Sequence, residues 1–518
     1  MKNIVGIDLG TTFSALALLD DSGKPSVIKA DAERILASCV WAKDPLTLQV
    51  GALARNSLAT EPKSVAARFK RHMGSDHTIH LEKLGRPFTP EEASAQVLRK
   101  LIQEASKVHG PIDEVVITVP ANFAERQRRA TIKAGEMAGV KVQNIINEPT
   151  AAALAYATQH TVSGTVLIYD MGGGTFDVTI AKIQGTNVEC LTSEGDMDLG
   201  GIDFDSRLAG IVDDLYAQTH GKSLKEDLGL QSPDDERNSP VWQELLLEAE
   251  KWKIQLSSLE SIRIKFSEGP SGRVQGEIRR ADFESAIASF VAKAEMLVET
   301  ALDNAKLEAK DIDHILLVGG STRIPAIRNS IRKMLGKEPS EAVNADEAVA
   351  LGAATYAGLR TDKSNLKPLQ RQRLEKVAVK DVANHHYGTL AVNHDGELGR
   401  NELRVDILIP KDTPLPCSKT ERYHTMVDGQ KFINCRVTQS SHAETNPDLV
   451  NIRYEAKLGP LPQGRAAGRP VEVTFSYDED QTMQVQFLDV ESGMKVQDVL
   501  QLKADTSPQI SMPEFRIE

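Results

Sequence analysis

A strand that ends in aspartate and turns at once on glycine and threonine occurs twice in this 518-residue chain, and nothing else in the sequence constrains its fold as much. The first copy is Ile4-Val5-Gly6-Ile7-Asp8-Leu9-Gly10-Thr11-Thr12-Phe13, and the second is Val166-Leu167-Ile168-Tyr169-Asp170-Met171-Gly172-Gly173-Gly174-Thr175-Phe176. Each reads as strand, turn and second strand, so the pair predicts two similar lobes facing each other across a cleft. Glycines let a backbone approach a ligand and adopt positive φ, so consecutive N–H groups can point at an anion. Threonine hydroxyls add donors. An aspartate at the strand end suits a hydrated magnesium ion, which prefers carboxylates plus retained waters. Two opposed turns, with Asp8 and Asp170 toward the metal, thus predict a clamp for a magnesium-nucleotide. One such turn alone reads more readily as an ordinary glycine-rich hairpin, and it is the pair with matching aspartates that tips the reading toward a nucleotide. A Walker loop is absent: Gly221-Lys222-Ser223 has its ending, but Tyr216 stands where the first glycine belongs.

A third glycine signal lies in Ile315-Leu316-Leu317-Val318-Gly319-Gly320-Ser321-Thr322-Arg323-Ile324-Pro325, where a buried strand ends in Gly-Gly and Pro325 can open a helix. Close approach to a nucleoside, with Arg323 stacking on the base, and a plain strand-to-helix turn both fit.

The first 358 residues alternate strand and helix signals, which predicts an α/β domain. Thr89-Pro90-Glu91-Glu92 reads as a capped helix start, Gly110 as its stop, Glu114 to Val119 as a buried strand, and Glu125 to Ala138 as a helix. Residues 359–385 are polar and weakly periodic and read as a linker. From 386 to 505, Leu403 to Leu408, Phe432 to Val437, Val471 to Phe475 and Met483 to Phe487 alternate in the strand period, which predicts a small β-sandwich. Residues 506–518 read as a tail, with no helical pattern after the last strand.

A net charge of −12 disfavours nucleic acid or an anionic membrane as partner. Cys39, Cys190, Cys417 and Cys435 are scattered, which suits a reducing compartment rather than a disulfide framework or a zinc site. No signal-peptide core precedes Ile4 and no apolar window reaches membrane-span length, so a cytoplasmic protein is expected.

These segments together resemble the seventy-kilodalton heat-shock chaperone family, in its bacterial type. Besides the two repeat turns, the match includes Ile117-Thr118-Val119-Pro120-Ala121, Ile145-Ile146-Asn147-Glu148-Pro149-Thr150-Ala151-Ala152-Ala153, Leu199-Gly200-Gly201-Ile202-Asp203-Phe204-Asp205 and Asn344-Ala345-Asp346-Glu347-Ala348-Val349-Ala350. The resemblance implies a two-lobed actin-like ATPase domain followed by the sandwich. It implies ATP/ADP and Mg2+ as ligands. It also implies that Lys70, Glu148, Asp170, Thr175 and Asp177 act around the attacking water, the metal and the γ-phosphate. By the same resemblance Glu250, Lys253 and Ser257 border the adenosine, Gly319, Gly320, Ser321, Arg323 and Asp346 join them as nucleotide-binding residues, and Pro120 and Arg128 relay nucleotide state. Taken without it, Lys70 reads as a surface lysine and the 250–257 stretch as a solvated helix face.

The C-terminal part resembles the family's client-gripping sandwich through Val405 to Pro410, Thr413 to Pro416, Leu458 to Gly464 and Val471 to Phe475. The sequence departs from the family at Asn122, where a tyrosine is usual, and at Val377-Ala378-Val379-Lys380-Asp381-Val382, which is less apolar than the family's linker. Thr438-Gln439-Ser440-Ser441-His442 lacks the usual acidic turn, and a helical lid is missing, so fast peptide release is expected. The expected function is ATP-controlled binding of unfolded or extended polypeptide, with J-domain co-chaperones and nucleotide exchange factors as further partners. A nucleotide-gated adaptor for a dedicated protein partner is the alternative, and a metabolite kinase, which shares opposed phosphate loops, is a third.

Overall fold

The computed structural model describes residues 3–160, 162–340, 344–395, 400–479, 482–500 and 515–518. The opening residues 1–2 and the 506–514 part of the tail therefore lie outside the described residues. The chain divides into two compact units: unit 1 comprises Met1–Val188, Glu194–Ala378 and Thr506–Glu518, and unit 2 comprises Glu189–Ser193 and Val379–Asp505.

Unit 1 carries the repeat in two sheets of related design. In the first, the order is Lys141–Asn147, Glu114–Val119, Val5–Asp8, Phe13–Leu19 and Pro25–Ile28. Val5–Asp8 runs parallel to Glu114–Val119 and antiparallel to Phe13–Leu19, which sets Asp8 opposite Ala15. In the second, Ser163–Met171 runs parallel to His314–Val318 and antiparallel to Phe176–Gln184, which sets Asp170 opposite Asp177. Burial on both faces explains why these strands read as unbroken apolar runs.

Two alanine-rich helices, Glu148–Gln159 and Ala348–Arg360, pack on the second and first sheet respectively and on each other. Their small residues are a condition of that packing: a Cβ on Gly352 would lie 1.7 Å from the Ala151 carbonyl oxygen. The helix Pro90–His109 starts and stops where its punctuation predicts. Thr89 Oγ1 accepts the Glu92 N–H at 3.1 Å, and the Glu92 carboxylate accepts the Thr89 N–H at 2.8 Å. Such a cap contributes about 1 kcal/mol. A smaller sheet pairs Cys39–Ala42 with Val65–Ala67 on one side and with Thr47–Val50 on the other.

The linker reading of 359–385 needs correction over much of its length. The helix Ala348–Arg360 runs into it, and Lys363–Asn365 and Pro368–Leu374 form further helical turns. Leu366, Gln370 and Leu374 are buried there, and Gln370 donates its amide to the Asp20 carbonyl at 2.9 Å. Two buried leucines are too few to register as periodicity, yet they suffice to anchor short helices.

Unit 2 is built from two four-stranded antiparallel sheets. One contains Arg400–Ile409, His386–Asp395, Ile433–Ser440 and Asn451–Leu458; the other contains Cys417–His424, Pro470–Tyr477, Met483–Asp489 and Lys495–Leu500. Tyr387, Leu408, Cys435, Val437, Phe475 and Phe487 lie in its core. The strands that alternate in sequence are present, and the alternation of Pro470–Tyr477 carries through to burial. Cys417–His424 carries no such signal because most of its side chains are exposed on both faces.

Candidate active site

The two repeated turns meet. A Cβ on Gly173 would sit 2.2 Å from Thr12 Oγ1, and one on Gly174 would sit 2.5 Å from Thr11 Cγ2. Between the lobes of unit 1 they border a cleft of about 640 Å³. Asp8, Gly10, Thr11, Thr12 and Phe13 line it from the first turn, and Asp170, Gly172, Gly173 and Thr175 from the second, together with Lys70 and Glu148. The helix Gly201–His220 is pinned behind the second turn: the Gly201 and Ile202 N–H groups donate to the Gly172 and Gly173 carbonyls at 3.0 and 2.8 Å. Gly200 packs against Gly174, with which any side chain would collide.

Lys70 is buried and forms an ion pair with Glu148, the first residue of its helix. Val65–Ala67 delivers the lysine, and Arg68 makes the bend between them in a left-handed conformation with φ 59°. Burial, then the charge of Glu148, push Asp8 up to about 7 and Asp177 up to about 8. The same two causes, joined by Asp177 and Asp8, hold Asp170 well above the usual carboxylate range. Lys70 opposes each of these shifts. Thr118 Oγ1 donates to Asp8 at 3.1 Å, and the backbone N–H groups of Ala121 and Asn122 donate to Asp177.

The adenosine-side residues expected from the resemblance line the same cleft: Glu250, Lys253, Ser257, Gly319, Gly320, Ser321, Arg323 and Asp346. Gly319 has φ +81° and a Cβ there would lie 2.3 Å from the Met171 carbonyl, so this position requires glycine. Ser321 Oγ donates to the Gly172 carbonyl at 2.8 Å, which ties the third glycine turn to the second. Arg323 makes a two-pronged pair with Asp346 at 3.0 and 2.8 Å. Lys253 lies buried between the Gly201 carbonyl and Asp205, and Ser257 donates to the Lys253 carbonyl. The charged face expected for 250–257 is therefore turned partly inward.

Asp177, Gly174 and Gly200 stand behind the cleft wall, and Pro120 and Arg128 lie outside it. Arg128 is buried; its guanidinium holds the Ala121 and Phe123 carbonyls at 3.1 and 2.8 Å and Asn147 Oδ1 at 2.7 Å. It thereby joins the loop after Pro120, which holds Asp177, to the strand end that precedes Glu148.

Sequence reasoning missed three residues that shape the turns. Arg71 donates to the Gly174 carbonyl at 2.9 Å and pairs with Asp203 at 2.6 Å; its place in the Arg68-Phe69-Lys70-Arg71 run was an available signal. Ser38 donates its hydroxyl to the Gly10 carbonyl at 2.8 Å. Arg55 pairs with Glu250 and lies 5.3 Å from the Phe13 ring centre. Neither Ser38 nor Arg55 sits in any recognisable motif.

The family model described as "Hsp70 protein" matches residues 4–510 of this chain. A "Chaperone protein DnaK" of Deinococcus radiodurans is 36% identical over 95% of this chain and 78% of its own length. A "Chaperone protein dnaK" of Cyanophora paradoxa is 36% identical over 95% of this chain and 79% of its own. "Heat shock 70 kDa protein 6, chloroplastic" of Arabidopsis thaliana is 35% identical over 98% of this chain and 70% of its own. With a matching model over nearly its whole length and relatives of this similarity, the chain belongs to the Hsp70 family.

Proposed function

We propose that this chain is an ATP-dependent chaperone in which an actin-like unit 1 hydrolyses ATP and the unit 2 sandwich binds extended polypeptide. The observation that carries the reading is the cleft itself: two glycine–threonine turns in contact, one buried lysine and a cluster of buried carboxylates. Hydrolysis requires water to bond to the γ-phosphorus as its bond to the β–γ bridging oxygen breaks, giving ADP and phosphate. In this reading the Gly10–Thr12 and Gly172–Thr175 turns hold the phosphates through backbone N–H groups and hydroxyls. Lys70 and Glu148 orient the water, Asp177 acts on them through its charge from behind the cleft wall, and catalysis is positioning and charge stabilisation without a covalent intermediate. Glu250, Lys253, Ser257, Gly319, Gly320, Ser321, Arg323 and Asp346 border the nucleoside.

The donor set fits a magnesium ion. Asp8, Asp170, Asp177 and Glu148 crowd their negative charge around one lysine, and burial, then the charge of Glu148, pushes the other three toward protonation. Among the described residues no three His, Cys, Asp or Glu side chains gather closely enough to chelate an ion directly. Asp8 and Asp170 would therefore hold the ion through water, as magnesium favours. An ion held there would supply positive charge against the phosphates.

Arg128 and Pro120 are the proposed relay, supported by the Arg128 bonds that join the Asp177 and Glu148 supports. Exposed Met426, Val427 and Phe432 support an apolar client for unit 2. Among the described residues no helix is long and apolar enough to cross a membrane. All four cysteines are free, which supports a reducing compartment such as the cytoplasm.

The test is ATPase activity of the full chain with and without an extended apolar peptide, beside peptide affinity in Mg-ADP and Mg-ATP. Stimulation that Asp170→Asn abolishes, with tighter peptide binding in ADP, is expected. Turnover indifferent to every peptide, with one stoichiometric folded partner captured instead, would replace the chaperone reading by the adaptor.

A further inference from the structure

The small sheet of unit 1 has a fourth strand that comes from the far end of the sequence. Arg516–Ile517 pairs in parallel with Thr47–Val50, Arg516 opposite Thr47 and Ile517 opposite Leu48. The Arg516 and Glu518 N–H groups donate to the Leu46 and Leu48 carbonyls, each at 2.9 Å, and the Val50 N–H donates to the Glu518 carbonyl at 3.1 Å. Buried Gln49 adds its side-chain amide to the same Glu518 carbonyl at 2.9 Å.

Side chains supply what backbone pairing cannot, a preference for sequence. Phe515 is 7% exposed and packs edge-on to Phe88, ring centres 6.5 Å apart. The Arg86 guanidinium lies 5.9 Å from the Phe88 centre and 5.6 Å from the Phe515 centre. Its Nη1 is fixed by Glu92 at 2.8 Å, while its Nη2 is buried with no hydrogen-bond partner. The two ring faces are thus what meets this buried cationic nitrogen. Three residues on, Glu518 pairs with Lys43 at 2.7 Å. Arg516, between these anchors, has a 79% exposed side chain and, among the described residues, is met by no charged group but the neighbouring Glu518.

We propose that the Thr47–Val50 edge is a strand-addition site for an extended peptide of the pattern aromatic–any–aliphatic–acidic, occupied in cis by residues 515–518 of the same chain. Main-chain bonds give such a site affinity and the flanking pockets give it specificity. The edge belongs to the sheet whose opposite border, Val65–Ala67, leads into Lys70, so its occupant braces a sheet that reaches the cleft.

The experiment uses the full chain and the doubly released variant Phe515→Ala/Arg516→Pro, which loses the aromatic anchor and the N–H that Leu46 accepts. The probe is a fluorescent, amidated Glu-Phe-Arg-Ile-Glu peptide. The released variant should bind it saturably in the micromolar range. The native chain should bind it at least about tenfold more weakly, because a tethered competitor acts at roughly millimolar effective concentration. The same probe with alanine for phenylalanine should lose binding to both. Equal binding to the two chains, or binding to neither, would overturn the proposal. A concentration-dependent dimer of the native chain that the variant loses would overturn the cis occupancy. A second readout does not need the double variant: hydrogen exchange of the Val50 amide should accelerate at least tenfold in Phe515→Ala alone, and unchanged exchange would count against the site.

Discussion

The two halves of the repeat share one sequence pattern and are unlike in what they carry. In the first, Asp8 stands opposite Ala15 and the turn bears Thr11 and Thr12; in the second, Asp170 stands opposite Asp177 and the facing positions are Gly173 and Gly174. The difference is steric before it is chemical. Where the copies touch, Thr12 meets Gly173 and Thr11 meets Gly174, and a Cβ on either glycine would fall within 2.5 Å of a threonine atom. A repeat that closes on itself must diverge at the contact. At the contact itself the hydroxyls went to one side and bare backbone to the other, and the second half gained the extra carboxylate.

Lys70 is the group the two halves share, since it offsets Asp8, Asp170 and Asp177 alike. Lys70→Ala should therefore cause the largest loss, about 10²–10³ in kcat, with nucleotide affinity much less affected, as when a single preorganised donor is removed. Single-turnover hydrolysis beside equilibrium ATP binding separates the two quantities. A kcat within tenfold of the native value would remove Lys70 from the catalytic group and leave the halves independently sufficient.

Steric divergence has its own signature. Gly173→Ala should weaken ATP binding about 10–100-fold, because the added methyl drives the turns apart at their contact. Thr12→Ala alone should cost only a few-fold, and in the double variant it should restore part of the loss. Titration calorimetry on the four proteins gives the coupling, expected at about 1 kcal/mol or more for groups in contact. Additive effects would mean that the glycine serves the phosphates alone and that crowding did not shape the pair.

How much of this was legible varies with the kind of signal. The turns were, because glycine, threonine and aspartate at a strand end have few other reasons to occur together twice. Lys70 was legible only through family resemblance: a lone lysine in Phe-Lys-Arg-His gives no hint that a left-handed Arg68 folds it inward onto Glu148. Ser38 and Arg55 act on the turns through tertiary contacts that no local pattern encodes. In unit 2 the half-buried strands announced themselves, while the exposed Cys417–His424 did not. The Arg516–Ile517 strand is two residues long, below any period that could be counted.

Electrostatics offers a smaller and opposite effect. Asp8 and Asp177 have folded-state pKa values of about 7 and 8, above the ordinary 3.8, so the folded protein without ligands holds their protons more tightly than the unfolded chain does. Their contribution to stability is complete below about pH 3.8 and is lost as pH rises through 7 for the first half and 8 for the second. The unit 1 melting temperature without nucleotide should thus fall from pH 5 to pH 8. Asp8→Asn should flatten that fall below about pH 7 and leave the part above it, whereas Asp177→Asn should flatten it along its whole length to about pH 8, each stabilising the ligand-free protein at pH 8 by on the order of 1–2 kcal/mol. Mg-ATP should erase most of the slope in the native chain. If both substitutions destabilise at pH 8, the carboxylates are already neutralised by something other than a ligand.

The smallest effect separates the halves most finely. Asp8 takes a hydrogen bond from a neighbouring strand, Thr118 Oγ1 at 3.1 Å, whereas Asp177 takes its bonds from the Ala121 and Asn122 backbone. A side-chain donor can be removed without disturbing the main chain. Thr118→Val keeps the shape of a fully buried residue and deletes the bond, so Asp8 alone should become harder to ionise. The cost of one such bond is about 0.5–1.5 kcal/mol, which predicts a rise of a few-fold in the magnesium concentration needed for half-maximal ATPase at pH 7. The deficit should shrink at pH 8.5, where Asp8 ionises regardless, and the pH dependence assigned to Asp177 should not move. A deficit constant across pH would mean that Thr118 supports the strand and not the charge, and the first half would then lack the tuned carboxylate that the second half has.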